Sequence, residues 1–315
     1  MHVVIYLPLV IPVVAAVTAR GLADRLPPAA ASWLLAASAL ALALASSSVL
    51  GLLAMSALIR IPVVDAAGHL SRSVVAHGDG VSIPVAIVAG ALLAAAATAV
   101  GKVTWRRVRA IARAHRHASG LPGAGEVVVT EDTAADAYTV PGWPCRIVIT
   151  QGMLRALSAA ERGVLLAHER THARNAHYLF SMAARLAAAA NPLLHPVAAE
   201  VGYAVERWAD ERAAAETGDR ALTARAIARA ALASSAAPPE RAAGAETAAL
   251  GLIARGQGRP GPVPRRVAAL LAPPPGLSPL LIAAAIVLVA VSGVCAVEAA
   301  RDLHQLIELA QGQSA

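Results

Sequence analysis

The sequence predicts an α-rich membrane protein, four transmembrane helices with an α+β domain inserted between the third and the fourth. Three observations predict it. Of the 315 residues, 57% are apolar and 15% charged, where soluble chains run at about 45–50% and about 25%. Four apolar runs approach the roughly 20 residues that a bilayer-spanning helix needs. Between the third and fourth runs lies a stretch of mixed polarity long enough for one domain with its own core. The apolar content excludes a disordered chain, and two cysteines, Cys145 and Cys295, in segments of different character exclude a disulfide scaffold. With aromatics at 3%, small aliphatic side chains must fill the core. A net charge of +7 and a pI near 10.4 suit either a nucleic-acid binder or a membrane protein with basic inner loops, and the mean hydropathy of +0.59 favours the bilayer as partner.

The first run, residues 3–19, carries Pro8 and Pro12. The second lies within 26–59, with its body at 32–53. The third fills 80–101 between Asp79 and Lys102, and the fourth, 277–297, follows Pro273-Pro274-Pro275 and ends at Glu298. A further apolar stretch, 186–199, is too short to span and is interrupted by Asn191-Pro192, so it reads as a buried or interface-grazing helix–turn. Orientation follows the Lys/Arg bias of the loops. Lys102, Arg106, Arg107, Arg109, Arg113 and Arg116 form the densest basic cluster, with Arg255, Arg259, Arg265 and Arg266 before the fourth span and Arg20 and Arg25 between the first two. All belong in the cytoplasm if both termini are outside, while the segment 60–80 is outer and mixed in charge. The expected division is a three-span region at 1–101, a cytoplasmic domain at 102–276, and a fourth helix with a short extracellular tail at 277–315. Ala16-Val17-Thr18-Ala19 resembles a signal-peptide cleavage site, but only His2 precedes the apolar run, so the first span is read as retained. The basic cluster abuts a span and has no stacking aromatic beyond Trp105, so no direct nucleic-acid partner is expected.

The insert opens on a basic helix at 106–117, stopped by Gly120-Leu121-Pro122-Gly123. Strand patterns follow at 126–130, 137–140 and 146–150, the last two separated by Pro141-Gly142-Trp143-Pro144, and suit a small antiparallel sheet. Ser158-Ala159-Ala160-Glu161 is a capping box, so a helix starts there and runs to Asn191-Pro192. Further helices are expected at 196–218 and 220–234. The Pro-, Gly- and Ala-rich stretch 236–264 reads as a mobile linker with room for a short helix at 246–255.

The chemistry lies on the helices. His168-Glu169-Arg170-Thr171-His172 places two imidazoles at i and i+4, about 40° apart on a helix, so both project from one face and can grip one cation. Glu206 and Asp210 repeat the i, i+4 spacing on the following helix. Glu206 completes a ligand set of two imidazoles and a carboxylate, which suits Zn2+ with one position left open. Asp210 can accept a hydrogen bond from the far nitrogen of a ligand imidazole, and Glu169 is placed to act as general base on the attacking water. The blander reading is a solvated charged helix face, and the second acidic pair speaks against it. His115, His177 and His195 read as structural or solvated. Tyr138 and His177 are the residues to inspect for oxyanion stabilisation, Arg266 reads as a membrane-side anchor, and Ser46-Ser47-Ser48 as helix-packing hydroxyls.

His168-Glu169-Arg170-Thr171-His172 with Glu206-Arg207-Trp208-Ala209-Asp210-Glu211 resembles the gluzincin membrane peptidases, and more narrowly the BlaR/MecR family of antibiotic-sensing membrane proteases. Asp136-Ala137-Tyr138-Thr139-Val140-Pro141-Gly142 and Ile147-Val148-Ile149-Thr150-Gln151-Gly152-Met153-Leu154 resemble the segment before the zinc helix there and in HtpX-like and CAAX prenyl proteases, and His177 echoes those relatives. The resemblance implies a zinc endopeptidase domain between spans three and four. It implies His168, His172 and Glu206 as ligands, Glu169 as base, Asp210 behind a ligand, and a winged-helix repressor as protein substrate. The sensor members carry a large extracellular penicillin-binding domain after the fourth span. Here about 18 residues follow it, so the expectation is a relative without that domain. An HtpX-like quality-control protease, or a membrane receptor with a structural zinc site, are the alternatives.

Overall fold

The computed structural model describes residues 6–58, 82–119, 125–142, 145–235 and 261–312. The segment 60–80 expected on the outer side, the Gly120–Gly123 stop and the short helix expected at 246–255 lie outside the described residues. Among the described residues, four helices are long and apolar enough to cross a membrane: α1 (Leu7–Arg25), α2 (Pro28–Leu58), α3 (Ile83–Ser119) and α10 (Pro279–Gly312). The chain is thus a multi-pass membrane protein that also carries a small sheet. Helix α2 is the hub, packing against α1, α3 and α10. Small residues make this possible. Ala15, Ala19 and Ala23 line one face of α1 at i, i+4 and i+8, against Ala36, Ala39 and Ala43 of α2. A methyl group on Gly90 of α3 would lie 3.6 Å from Ala54 Cβ, so these two backbones also run close. The outward faces of α3 and α10 leave Ile87, Val88, Leu280 and Val294 exposed, as lipid-facing helices do. Cys295 is buried.

After α3 come three strands, β1 (Val127–Thr130), β2 (Ala137–Val140) and β3 (Arg146–Thr150). The order is β1-β3-β2, with β2 antiparallel to β3 but β1 parallel to it. The expected antiparallel sheet is therefore corrected to a mixed one. Ile147, Val148 and Ile149 are almost fully buried, so β3 is covered on both faces and takes the centre, while β1 and β2 form the edges. Gly152 opens the short helix α4 (Gln151–Ala156), and a Cβ there would lie 2.1 Å from the Thr133 carbonyl oxygen, so only glycine fits.

Helix α5 (Ala159–Arg174) starts on the capping box: Ser158 Oγ accepts from the Glu161 N–H, and the Glu161 carboxylate accepts from the Ser158 N–H. It does not continue to Asn191. It stops at Asn175, Ala176 takes the left-handed conformation at φ 48°, and α6 (His177–Ala190) leaves in a new direction. No glycine or proline marks this break; the contacts of His177 described below hold it.

A 3-10 turn, Pro192–Leu194, joins α6 to α7 (His195–Thr217), which ends on left-handed Gly218. The α6–α7 hairpin packs along α1 and α2. Its turn reaches Ser46, whose hydroxyl accepts from Asn191 Nδ2 (3.1 Å) and donates to the Pro8 and Leu42 carbonyls. Ala204, deeper in α7, meets Leu26 and Ala31. From Ala31 to Ser46 is ~22 Å along α2, so the segment from Asn191 to Ala204 lies along that helix for about this length. Helices α8 (Arg220–Ser235) and α9 (Pro262–Leu271) complete the domain. The expected linker thus ends at a helix that begins at Pro262. Arg220 holds the end of α9 by donating to the Ala269, Leu270 and Ala272 carbonyls while pairing with Glu211.

Candidate metal centre

Helices α5 and α7 run antiparallel, with Val164 and Ala167 against Ala213 at one end and His172 against Glu206 at the other. That pairing brings the two i, i+4 motifs face to face. His168 Nε2 lies 3.0 Å from His172 Nε2 and 3.6 Å from Glu206 Oε2, and His172 Nε2 lies 3.5 Å from Glu206 Oε1. Four-coordinate zinc, with bonds of about 2.0–2.1 Å, sets its ligand atoms about 3.3 Å apart at the tetrahedral angle. Three donors at these separations fit the ion. Glu206 is the most exposed of the three, so the site opens on its side.

Each imidazole is held from behind. His168 Nδ1 is 3.0 Å from Asp210 Oδ1. His172 Nδ1 is 3.0 Å from Nδ1 of His177, a residue only 1% exposed. Positions i and i+5 would diverge by about 140° on one helix, so this contact exists only because the chain turns at Ala176. Burial, with the neighbouring His172, pushes His177 down to about 3. A neutral His177 ring can therefore accept the His172 Nδ1–H, which leaves a lone pair on His172 Nε2 facing the cluster. Trp208 and Phe180 pack around the His177 ring.

The carboxylates have one strong counter-charge. Arg266 of α9 donates from Nε and Nη2 to Asp210 (2.7 and 2.6 Å), and its Nη1 lies 2.8 Å from Glu206 Oε2. Burial would raise both carboxyls; Arg266 and the histidines outweigh it and hold Asp210 below, and Glu206 well below, their ordinary range. Burial likewise drives His172 down to about 4, whereas for His168 the carboxylates of Asp210 and Glu206 outweigh burial and carry it up to about 10. The membrane-anchor reading of Arg266 is corrected: its guanidinium lies inside the candidate site.

Glu169 is buried, and burial pushes its carboxyl up. Thr139 of β2 counters this, its hydroxyl donating to Glu169 Oε2 at 2.9 Å and reaching the Glu169 backbone carbonyl at 3.1 Å. Neither Thr139 nor Arg266 was readable as a site residue from sequence. Thr139 does alternate with Tyr138, and one face of β2 must meet α5. Tyr138 is on the other face, with Val140, Val148 and Ala114, which removes it from the Glu169 side. His177 stands behind His172 rather than over the open side, so neither residue inspected for oxyanion stabilisation is placed for it. His195 bonds the Pro192 carbonyl in the hairpin turn, and His115 is on α3.

A family model described as Peptidase family M48 matches residues 102–275, more than half of the chain. No curated protein and no solved structure matches it.

Proposed function

The chain belongs to peptidase family M48, and from that premise we propose that it is a membrane-embedded zinc endopeptidase cutting a cytoplasmic or membrane-proximal protein. His168, His172 and Glu206 would hold the ion, which when bound supplies Lewis acidity and lowers the pKa of water to about 7. Asp210 and His177 fix the two imidazoles through their Nδ1 atoms, and Arg266 balances the carboxylates of Glu206 and Asp210. Glu169 takes the proton of the attacking water and hands it to the leaving amide nitrogen, and Thr139 holds the carboxylate in place for both transfers.

The observation that carries this reading is the convergence of three ligand atoms from two helices on one point, with a buried carboxylate beside it on the same helix. A purely structural ion would need the three ligands and would give Glu169, which is outside that cluster, no task. For orientation, the α1–α2 turn and the start of α10 pack against Ala204, two residues before Glu206, and the basic cluster at 102–116 follows the third span. Both observations support placing the domain of residues 102–276 on the cytoplasmic side with the termini outside, the tip of its α6–α7 hairpin reaching back along α1 and α2.

As substrate we propose a DNA-binding repressor of the winged-helix type, on the strength of the BlaR/MecR resemblance. The test compares wild type with Glu169→Gln. Both purified proteins should carry about one zinc per chain, and only cells with the variant should accumulate an intact cytoplasmic regulator, read from quantitative proteomes and new protein N-termini. Undiminished cleavage by Glu169→Gln would sink the mechanism. Differences confined to misfolded membrane proteins would replace repressor cleavage by quality control.

A further inference from the structure

Two of the arginines that adjoin residues of the candidate metal centre in sequence are bound to the same place. Arg207, next to Glu206, is buried and donates from Nη1 to the Ala23 carbonyl oxygen at 2.6 Å. Arg265, next to Arg266, donates from Nη2 to Asp24 Oδ1 at 2.8 Å and pairs with both oxygens of Glu200 at 3.0 Å. Ala23 and Asp24 form the last turn of α1, the first membrane-spanning helix. The carbonyls of a helix's last turn lack intrahelical partners and carry the negative end of its dipole, so a guanidinium is a favourable cap. The ring of Tyr203 links the two arginines, with Arg265 stacked at 3.7 Å from its centroid and Arg207 at 5.7 Å.

On a helix, consecutive side chains point about 100° apart. Glu206 and Arg207 on α7 therefore face different neighbours, as do Arg266 and Arg265 on α9. In each pair one member enters the metal centre and the other grips α1. The grip sets α7 and α9 against each other, and with them the 2.8 Å approach of Arg266 to Glu206.

We propose that Asp24, at the end of the first membrane span, is a positioning residue of the metal centre, acting through Arg265 to hold Arg266 against Glu206 and Asp210. The inference rests on the metal-binding reading above. It makes the stance of a transmembrane helix an input to the site, a route by which an event at the membrane reaches the peptidase centre without a ligand entering it.

The experiment uses the purified full chain in detergent. Zinc affinity is measured against a competing chelator, and amide hydrogen exchange is followed over residues 262–271. Asp24→Asn should weaken zinc binding by about tenfold, the lower end of what loss of an outer partner costs a metal site, and should speed exchange across α9. Asp24→Glu, which keeps the charge, should restore both. Glu298→Gln on α10, which removes the pair with Arg301, should change neither. Unchanged zinc affinity in Asp24→Asn, or failure of Asp24→Glu to restore it, overturns the proposal. Should wild type bind no zinc, the metal reading falls and exchange over 262–271 decides the positioning claim: faster exchange in Asp24→Asn upholds the link from α1 to α9, and unchanged exchange overturns it.

Discussion

Replacing Thr139 by valine removes one hydroxyl and leaves a side chain of nearly the same shape. In the structure that hydroxyl donates to Glu169 Oε2 at 2.9 Å, and it touches none of the three candidate ligands. A hydrogen bond to a charged acceptor is worth about 1.5–3 kcal/mol. It favours the ionised carboxylate, because the protonated form needs the donor less. Burial already pushes the Glu169 carboxyl up, and Thr139 is one of the groups restraining it. Taking the lower end of the range, since water can replace part of the bond, the variant binds a proton at Glu169 about tenfold more tightly.

The sign follows from the proposed role. A general base works deprotonated, so kcat/KM falls as pH drops through its pKa, and a tighter proton moves that acid limb to higher pH. On the limb Thr139→Val should therefore run about tenfold slower than wild type, and well above it the two should converge. Thr139→Ser should behave as wild type, and zinc content should be equal in all three. The assay is the pH profile of kcat/KM on an internally quenched peptide, with metal analysis alongside. An acid limb at the wild-type pH in Thr139→Val would refute the assignment of Thr139 and Glu169 as a unit.

Arg266→Gln leaves the carboxylates of Asp210 and Glu206 without their guanidinium; breaking a buried pair costs about 3–5 kcal/mol, so thermal unfolding should begin well below wild type and zinc affinity should drop about 10–100-fold, whereas an unchanged melting temperature would contradict the pairing. His177→Phe keeps an aromatic ring against Trp208 and Phe180 but removes the acceptor for His172 Nδ1; zinc affinity should fall about tenfold with little change in melting, and wild-type affinity would show that His172 needs no such partner. Gly152→Ala forces a methyl group to within 2.1 Å of the Thr133 carbonyl oxygen and should destabilise by about 1–3 kcal/mol, read from thermal melts, while a neutral result would mean that the 133–134 turn yields freely.

What could be read from the sequence is what is encoded locally. The capping box, the i, i+4 histidines and the i, i+4 acids each depend on helix periodicity within five residues, and they meet because α7 returns antiparallel to α5. What stayed hidden depends on distant packing. Arg266 lies 60 positions from Glu206, and a basic residue shortly before an apolar run has the same local signature whether it anchors at a membrane or enters a site. The parallel pairing of β1 with β3 follows from which strand is covered on both faces. The break at Ala176 has no breaker residue; a left-handed alanine costs roughly 1–2 kcal/mol, and it persists because it brings the His177 ring between His172 and Trp208.

The contacts of α7 and α9 with the end of α1 have a sequence signal of their own. A charged residue on a helix buried on one side normally points to water, so two adjacent charged residues on such a helix ordinarily mark its solvent face. Arg265 and Arg266 break that rule together, and so does Arg207 beside Glu206, because α7 and α9 are buried on two polar sides at once, one toward the metal centre and one toward the end of α1. Such charges are costly to bury without a partner, and in both pairs one residue finds its partner within the candidate metal centre and the other at a membrane-helix terminus. In α7 and α9, then, one member of each adjacent charged pair faces the candidate metal centre and the other faces the end of the first span. In this chain Arg207 and Arg265 tie α7 and α9 to the first span, while the helix of the third span packs against α6 and β2.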